Sequence, residues 1–294
     1  MPSGETYGGA STQAIQHHYD VGNDFYALWL DPTVTYSGAL WDGPDDTLQA
    51  AQERKLDYHI DQARARGAGR VLEIGFGWGS MIRRLVDHAG VERVVGLTLS
   101  ERQLAHVSAL GDPRVDVRLE NWFDHRPDAP YDAVISVAAF EAFARPGLTR
   151  AQKVARYRDF FSRTRDWLVP GGGLAIQTIT WGHTGEARSS GFIESQVFPE
   201  SDLPFVSEII EAAEEGFEVV AQHNDRAGYE RTCRRWLANL RAQRTEAVEL
   251  VGPETVQRYE TYLKMAVIGF HTGKIQLHRI SFRREGGRGS VGAG

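Results

Sequence analysis

Cysteine is nearly missing from this chain: Cys233 is the only one in 294 residues. A single thiol excludes an internal disulfide framework and a thiolate-built zinc site, and no metal is expected. Positive charge is also in short supply. The 33 Lys and Arg residues are outnumbered by 39 Asp and Glu, for a formal charge of -6, so a polyanionic nucleic acid is not an expected partner. No run approaches the roughly 18 consecutive apolar residues of a membrane-crossing helix, which excludes stable membrane insertion and leaves only surface dealings with lipid. The opening MPSGETYGGAST has neither the basic end nor the apolar core of a secretory signal, and the cytoplasm is the expected compartment.

What is present is apolar material for a substantial core, 41% of the residues. Its arrangement is informative. Short apolar runs alternate with helical patterns, the signature of a parallel sheet with crossover helices. Strands are predicted at Arg70 to Ile74, Arg93 to Leu99, Val115 to Glu120, Tyr131 to Val137, Leu174 to Thr180, Phe217 to His223 and Lys274 to Phe282. Seven strands in one run predict a doubly wound, Rossmann-like α/β sheet, mostly parallel, with helices on both faces and a closing hairpin of the final two. Residues 1–65 read as an N-terminal helical cap and 66–284 as the sheet domain. The stretch 181–216, after the fifth strand, is too long for a plain connection and reads as a lid. The tail 285–294, EGGRGSVGAG, has nothing to bury and is expected to be disordered.

The segment RVLEIGFGWGS narrows the chemistry. Gly75, Gly77 and Gly79 follow the first strand, but the dinucleotide fingerprint would want glycine at position 80, which is serine. Glu73, at the end of the strand, would repel a phosphate and suits a ligand bearing an ammonium group. S-adenosylmethionine carries an amino group, a sulfonium, a ribose and an adenine, and no phosphate. The bland alternative is a strand-turn-helix whose glycines only permit tight packing. Thr98 and Gln103 sit where a ribose would be gripped, although Ser100 with Gln103 also reads as a helix cap. Trp122 could stack on adenine or belong to the core.

Beyond these positions the chain resembles the cyclopropane-fatty-acid synthase and mycolic-acid methyltransferase group of S-adenosylmethionine-dependent enzymes, which have the class I methyltransferase fold. The resemblance runs from about His17 to Phe282 and is carried by HHYDVGNDFYALWLDPTVTYSGALW, VLEIGFGWGS, GLTLSERQ, YDAVISVAAFEAF, GYERTCRRWLANL and YLKMAVIGFHTG. It implies that Tyr36 and Ser37 meet the methionine end of the cofactor, that Gly75 and Gly77 line it, that Thr98 and Gln103 hold the ribose, and that Trp122 lies by the adenine. S-adenosylhomocysteine would be the product.

The resemblance also implies attack by an alkene on the sulfonium methyl, followed in the synthases by proton removal by a bound bicarbonate. Glu141 and Tyr229 match the glutamate and tyrosine around that ion. Other positions depart: Ala142 follows Glu141 in place of histidine, Gln177 replaces the bicarbonate histidine, and Gly38 and Ala266 replace cysteines. A buried ion short of hydrogen-bond partners is costly to hold. The first expectation is therefore methyl transfer to a carbon, or to a nitrogen, of a hydrophobic small molecule of specialised metabolism, with Glu141 as base or cation stabiliser. The alternative is cyclopropane synthesis on an unsaturated acyl chain of a lipid or carrier protein. A cofactor-binding protein without turnover would have little use for Glu141 and Tyr229. His17 and His18 are assigned no chemistry.

For the acceptor, Tyr26, Phe140, Phe143, Gln177, Phe198 and Trp236 are the expected wall, and Phe192 in the lid adds another aromatic ring. A homo-oligomer is compatible with the sequence. RTCRRWLANLRAQR could offer a basic face to an acidic carrier or a lipid surface, but pairing with glutamates is the preferred explanation.

Overall fold

The computed structural model describes Gly9, Ser11, residues 21–183 and residues 201–286. The apolar runs become β1 (Arg70–Ile74), β2 (Arg93–Thr98), β3 (Val115–Leu119), β4 (Tyr131–Val137), β5 (Leu168–Trp181), β6 (Phe217–Asn224) and β7 (Ile275–Arg284). They form one sheet in the order β3-β2-β1-β4-β5-β7-β6. The first five are parallel, and β7 runs antiparallel to both β5 and β6. β1 leads outward to β2 and β3, and β4 then returns to its other side. That reversal opens a crevice beyond the carboxyl ends of β1 and β4, where open α/β sheets bind their ligands.

The expected closing hairpin needs correction. β6 and β7 do pair, but three helices separate them in the chain and β7 enters the sheet between β5 and β6. β5 also starts six residues before its expected Leu174, at Leu168, so the Pro170-Gly171-Gly172-Gly173 stretch belongs to the strand. The ladder with β4 shifts register there, between Tyr131 and Ala133. Side chains would not fit: a Cβ on Gly173 would lie 2.2 Å from the Ala63 carbonyl oxygen, and one on Gly172 would lie 2.9 Å from that of Val169.

The period-two alternation along each strand divides the sheet between two cores. Leu72, Ile74, Val95, Leu97 and Val134 join a cluster with Phe140, Phe160, Phe161 and Ile209. Val71, Val94, Ala133 and Ile135 point the other way, to Leu56, Ile60, Ile82 and Leu85. The helices are α1 (Asn23–Ala27), α2 (Leu48–Gln62), α3 (Ser80–His88), α4 (Glu101–Ser108), α5 (Arg150–Trp167), α6 (Val206–Ala213), α7 (Arg226–Ala242), α8 (Arg244–Val251) and α9 (Pro253–Thr272), of which α2 to α6 cover these faces. Their starts are chemically marked. Thr47 caps α2, Ser100 caps α4, and Thr149 with Gln152 forms a full capping box on α5.

A third cluster joins α1, α7, α8 and α9 around Trp29, Trp236 and Tyr259, and reaches the sheet through Trp78 and Leu277. It forms a wall at the crevice. No helix among the described residues is long and apolar enough to cross a membrane. Of the expected lid, residues 184–200 lie outside the described residues, with Phe192 and Phe198. So do His17, His18 and the tail from 287.

Candidate active site

The glycines after β1 divide the labour at the crevice. Gly75, Gly77 and Gly79 all have positive φ, at 80, 56 and 81°. A Cβ on Gly75 would meet that of Ala139 at 2.7 Å, and one on Gly79 would meet Val107 at 2.8 Å, so these two allow close packing. At Gly77 nothing lies within 4 Å. Its open side belongs to a cavity of about 650 Å³ that runs from Glu73 and Gly75 to Ile268 on α9. Ile268 is 58% exposed and marks the mouth.

The opposite lip is segment 31–39, which is itself neither helix nor strand. Its backbone groups are satisfied by side chains instead. The Asp31 carboxylate accepts the amides of Thr33 and Thr35, and Gln52 Nε2 donates to the carbonyls of Ser37 and Thr35 at 2.8 and 3.3 Å. Arg279, fully buried, donates to the carbonyls of Gly38 and Ala39, to Gln177 Oε1 and to the Asp225 carboxylate. Val34 is held at φ 53°, and Ala138, across the cavity, at φ 55°. Left-handed backbone at non-glycine residues persists only where the surroundings over-determine it, as they do at binding sites.

Four carboxyls among the described residues line this cavity; Glu120 pairs with His125 and Asp202 with Lys153, and the other two, Glu73 and Glu141, each keep an unpartnered buried oxygen. Glu73 is 3% exposed, its Oε2 has no hydrogen-bond partner among the described residues, and burial pushes its pKa up to about 8 against the pull of nearby Lys55. A buried carboxyl with a spare oxygen fits the ammonium of S-adenosylmethionine. Glu141 sits on a 3-10 turn, Phe140–Ala142, that begins two residues after positive-φ Ala138. Its Oε1 accepts the Ile179 amide at 2.6 Å, its Oε2 is unpartnered, and burial pushes its pKa up to about 7.

The cavity brings together Tyr36, Ser37, Glu73, Gly75, Gly77, Thr98, Gln103, Trp122, Glu141, Tyr229 and Phe143. Thr98 Oγ1 donates to Gln103 Oε1 at 2.8 Å, and Ser100 still accepts the Gln103 amide, so cap and cavity wall coexist. Trp122 likewise combines its two readings. It lines the cavity and packs 4.9 Å from Phe143 and 5.3 Å from Phe160. Ala142 and Ala266 line the cavity as well.

Four residues expected in the acceptor wall are not there. Tyr26 lies in the aromatic cluster behind Tyr36 and Trp78, with its hydroxyl 2.6 Å from that of Tyr259. Trp236 is buried against Trp29 and Tyr36, and Phe140 against Tyr157 and Phe160. Gln177 turns away: its Oε1 meets His59 and Arg279, and its Nε2 donates to the Gly38 carbonyl. Phe198 lies outside the described residues.

Sequence reasoning missed three parts of the wall. Trp78 donates to Asn23 Oδ1 at 2.9 Å, Lys55 reaches in from α2, and Met265 and Gly269 project from α9. Trp78 could have been read from its place inside the glycine turn. Part of the basic stretch on α7 and the start of α8 is spent on the protein itself. Arg231 lies 3.9 Å over Trp41 and donates to the Gly43 and Pro44 carbonyls, Arg234 pairs with Glu230, and Arg244 pairs with Glu260.

Comparison with known proteins gives a consistent result. The profile of the family described as mycolic acid cyclopropane synthetase matches residues 9–280. The cyclopropane mycolic acid synthase 2 of Mycobacterium bovis is 36% identical over 270 residues, covering 86% of this chain and 88% of its own length. The structure of the cyclopropane synthase MmaA2 from Mycobacterium tuberculosis aligns with a TM-score of 0.85 at 30% identity, over 94% of this chain and 99% of that one. The mycolic acid cyclopropane synthase CmaA1, complexed with SAH and CTAB, aligns with a TM-score of 0.84 at 31% identity, over 94% and 99%.

Proposed function

The chain belongs to the mycolic acid cyclopropane synthetase family, a family of S-adenosylmethionine-dependent methyltransferases, and from that premise we propose that it transfers the cofactor methyl to an alkene carbon of an unsaturated acyl chain. The sequence alone ranked methylation of a small specialised metabolite first. The names of the relatives favour the acyl chain, and a cavity that opens past Met265 and Ile268 has the apolar lining such a chain needs.

The observation that carries the mechanism is the free oxygen of Glu141. The cofactor supplies an electrophilic methyl. Glu73 takes its ammonium, Tyr36 and Ser37 its methionine end, Thr98 and Gln103 its ribose, and Trp122 lies by its adenine. These residues fit because the cavity offers an unpartnered buried carboxyl beside an open glycine. Transfer of that methyl to one alkene carbon, with the C–S bond broken, would leave the second alkene carbon cationic. Phe143, Trp122 and Tyr229 line the chamber in which that charge would develop, and aromatic rings can stabilise a cation. Glu141 Oε2 then accepts a proton. Taken from the transferred methyl, it lets the ring close; taken from the neighbouring carbon, it leaves a methyl-branched alkene.

Bicarbonate, the base that the resemblance implies, does not fit. Gln177 spends its amide on His59, Arg279 and Gly38 and is absent from the cavity wall, and Ala142 and Ala266 offer no donor side chain. Of the carboxyls in the cavity, Glu73 is assigned to the cofactor, Glu120 pairs with His125 and Asp202 with Lys153, and Glu141 is left to act as base. The same observation favours a second reading, methyl transfer without ring closure to a hydrophobic small molecule.

The reading keeps the enzyme in the cytoplasm and gives it a hydrophobic substrate. Its test is incubation of the wild type with cofactor and monounsaturated acyl chains, as phospholipid and as carrier thioester. Acyl chains heavier by one CH2 are expected; unaltered chains alongside a methylated small-molecule acceptor would favour the second reading.

A further inference from the structure

Lys55 lies on α2, yet its side chain ends in the cavity wall. It is 1% exposed, and Nζ donates to Ser37 Oγ at 2.8 Å. Among the described residues it forms no salt bridge. A buried amine is an expensive way to brace a loop. Gln52, from the same helix, already holds the Ser37 and Thr35 carbonyls.

The surroundings of Lys55 suggest a ligand with charges of both signs. Arg279 pushes its proton off, while Asp31 and Glu73 favour keeping it. His59, one turn along α2, is held neutral by burial and by Arg279 and Lys55. A hydroxyl that accepts from an amine has its own proton left to donate, and into this cavity that proton needs an anionic or carbonyl acceptor. Glu73, in the same cavity, has an oxygen left to accept.

We propose that Lys55 is a positioning residue that, through the Ser37 hydroxyl, reads the carboxylate of the cofactor's amino-acid end, while Glu73 reads its ammonium. This rests on the reading that S-adenosylmethionine occupies the cavity. In the empty cavity burial favours the neutral forms, bringing the Lys55 amine down to about 7 and Glu73 up to about 8. An arriving zwitterion favours the charged form of each.

The test compares S-adenosylmethionine with its decarboxylated analogue, which lacks only the carboxylate, by titration calorimetry. Lys55→Met and Ser37→Ala should each lower affinity for S-adenosylmethionine by about tenfold, as expected for losing a hydrogen bond to a charged group. Each should leave the decarboxylated analogue within about twofold, and the double variant should lose no more than either single one. Equal losses on both ligands, or no loss on S-adenosylmethionine, would overturn the proposal. If Lys55→Met fails to fold, Ser37→Ala must show the carboxylate-selective loss by itself, and its absence overturns the proposal equally. A wild type that binds neither ligand refutes the cofactor reading underneath.

Discussion

Glu141 hangs from the backbone amide of Ile179: Oε1 accepts that N–H at 2.6 Å, and Oε2 is left without a hydrogen-bond partner among the described residues. The anchor comes from β5 and the carboxyl from the turn after β4, so two adjacent parallel strands fix the direction of one free oxygen at the crevice.

A base must be ionised to work. Burial holds the Glu141 pKa at about 7, so turnover should rise with pH through neutrality and level off above it. Glu141→Gln should lower kcat by about a hundredfold or more and leave cofactor affinity nearly unchanged. Rates and calorimetry on the two proteins check this; a fully active variant removes Glu141 from the chemistry.

The same carboxyl links stability to pH. Its folded pKa is raised from 4.5 to about 7, so the native state holds the proton more tightly, and that stabilisation is complete below 4.5 and lost as pH rises through about 7. Gln at this position does not titrate. Between those limits the stability of wild type relative to Glu141→Gln should fall by up to about 1.4 kcal/mol per pH unit. Denaturant unfolding at several pH values measures the difference, which should be flat if the carboxyl is not buried.

Gly75 and Gly77 should respond differently to side chains. Gly75→Ala drives a Cβ into Ala139 and strains a positive φ, so its main effect should be on folding, about 1–3 kcal/mol. At Gly77 a Cβ meets nothing in the protein, so Gly77→Val, which also strains a positive φ and loses some stability, should in addition fill space facing the cavity and abolish cofactor binding. Melting curves and calorimetry on both variants separate the two effects.

Bicarbonate should not stimulate the reaction. Assays in buffer freed of dissolved carbon dioxide, with and without added bicarbonate, should give equal rates, because Gln177 is tied to His59, Arg279 and Gly38. A strong dependence would show that the ion is held by groups other than these.

The strands were legible because each is a local apolar run, and six of the seven starts fall within one residue of expectation. Gly75, Gly77 and Glu73 were legible for the same reason, as neighbours in one turn. Gln177 was not. Its partners come from α2 and β7, and nothing near position 177 reveals that Arg279 will claim its amide oxygen. Tyr26, Phe140 and Trp236 show a related limit: composition identifies aromatic residues, but only tertiary packing decides whether a ring faces the core or the cavity. Lys55 looks like any surface lysine on an amphipathic helix until segment 31–39 folds over it.

The most direct test of the account is the carbon NMR spectrum of the acyl product formed with methyl-labelled S-adenosylmethionine. Label in a new carbon-bound position, as a ring methylene or a methyl branch at the former alkene, is the predicted result. Label on nitrogen or oxygen, with the alkene intact, would contradict it.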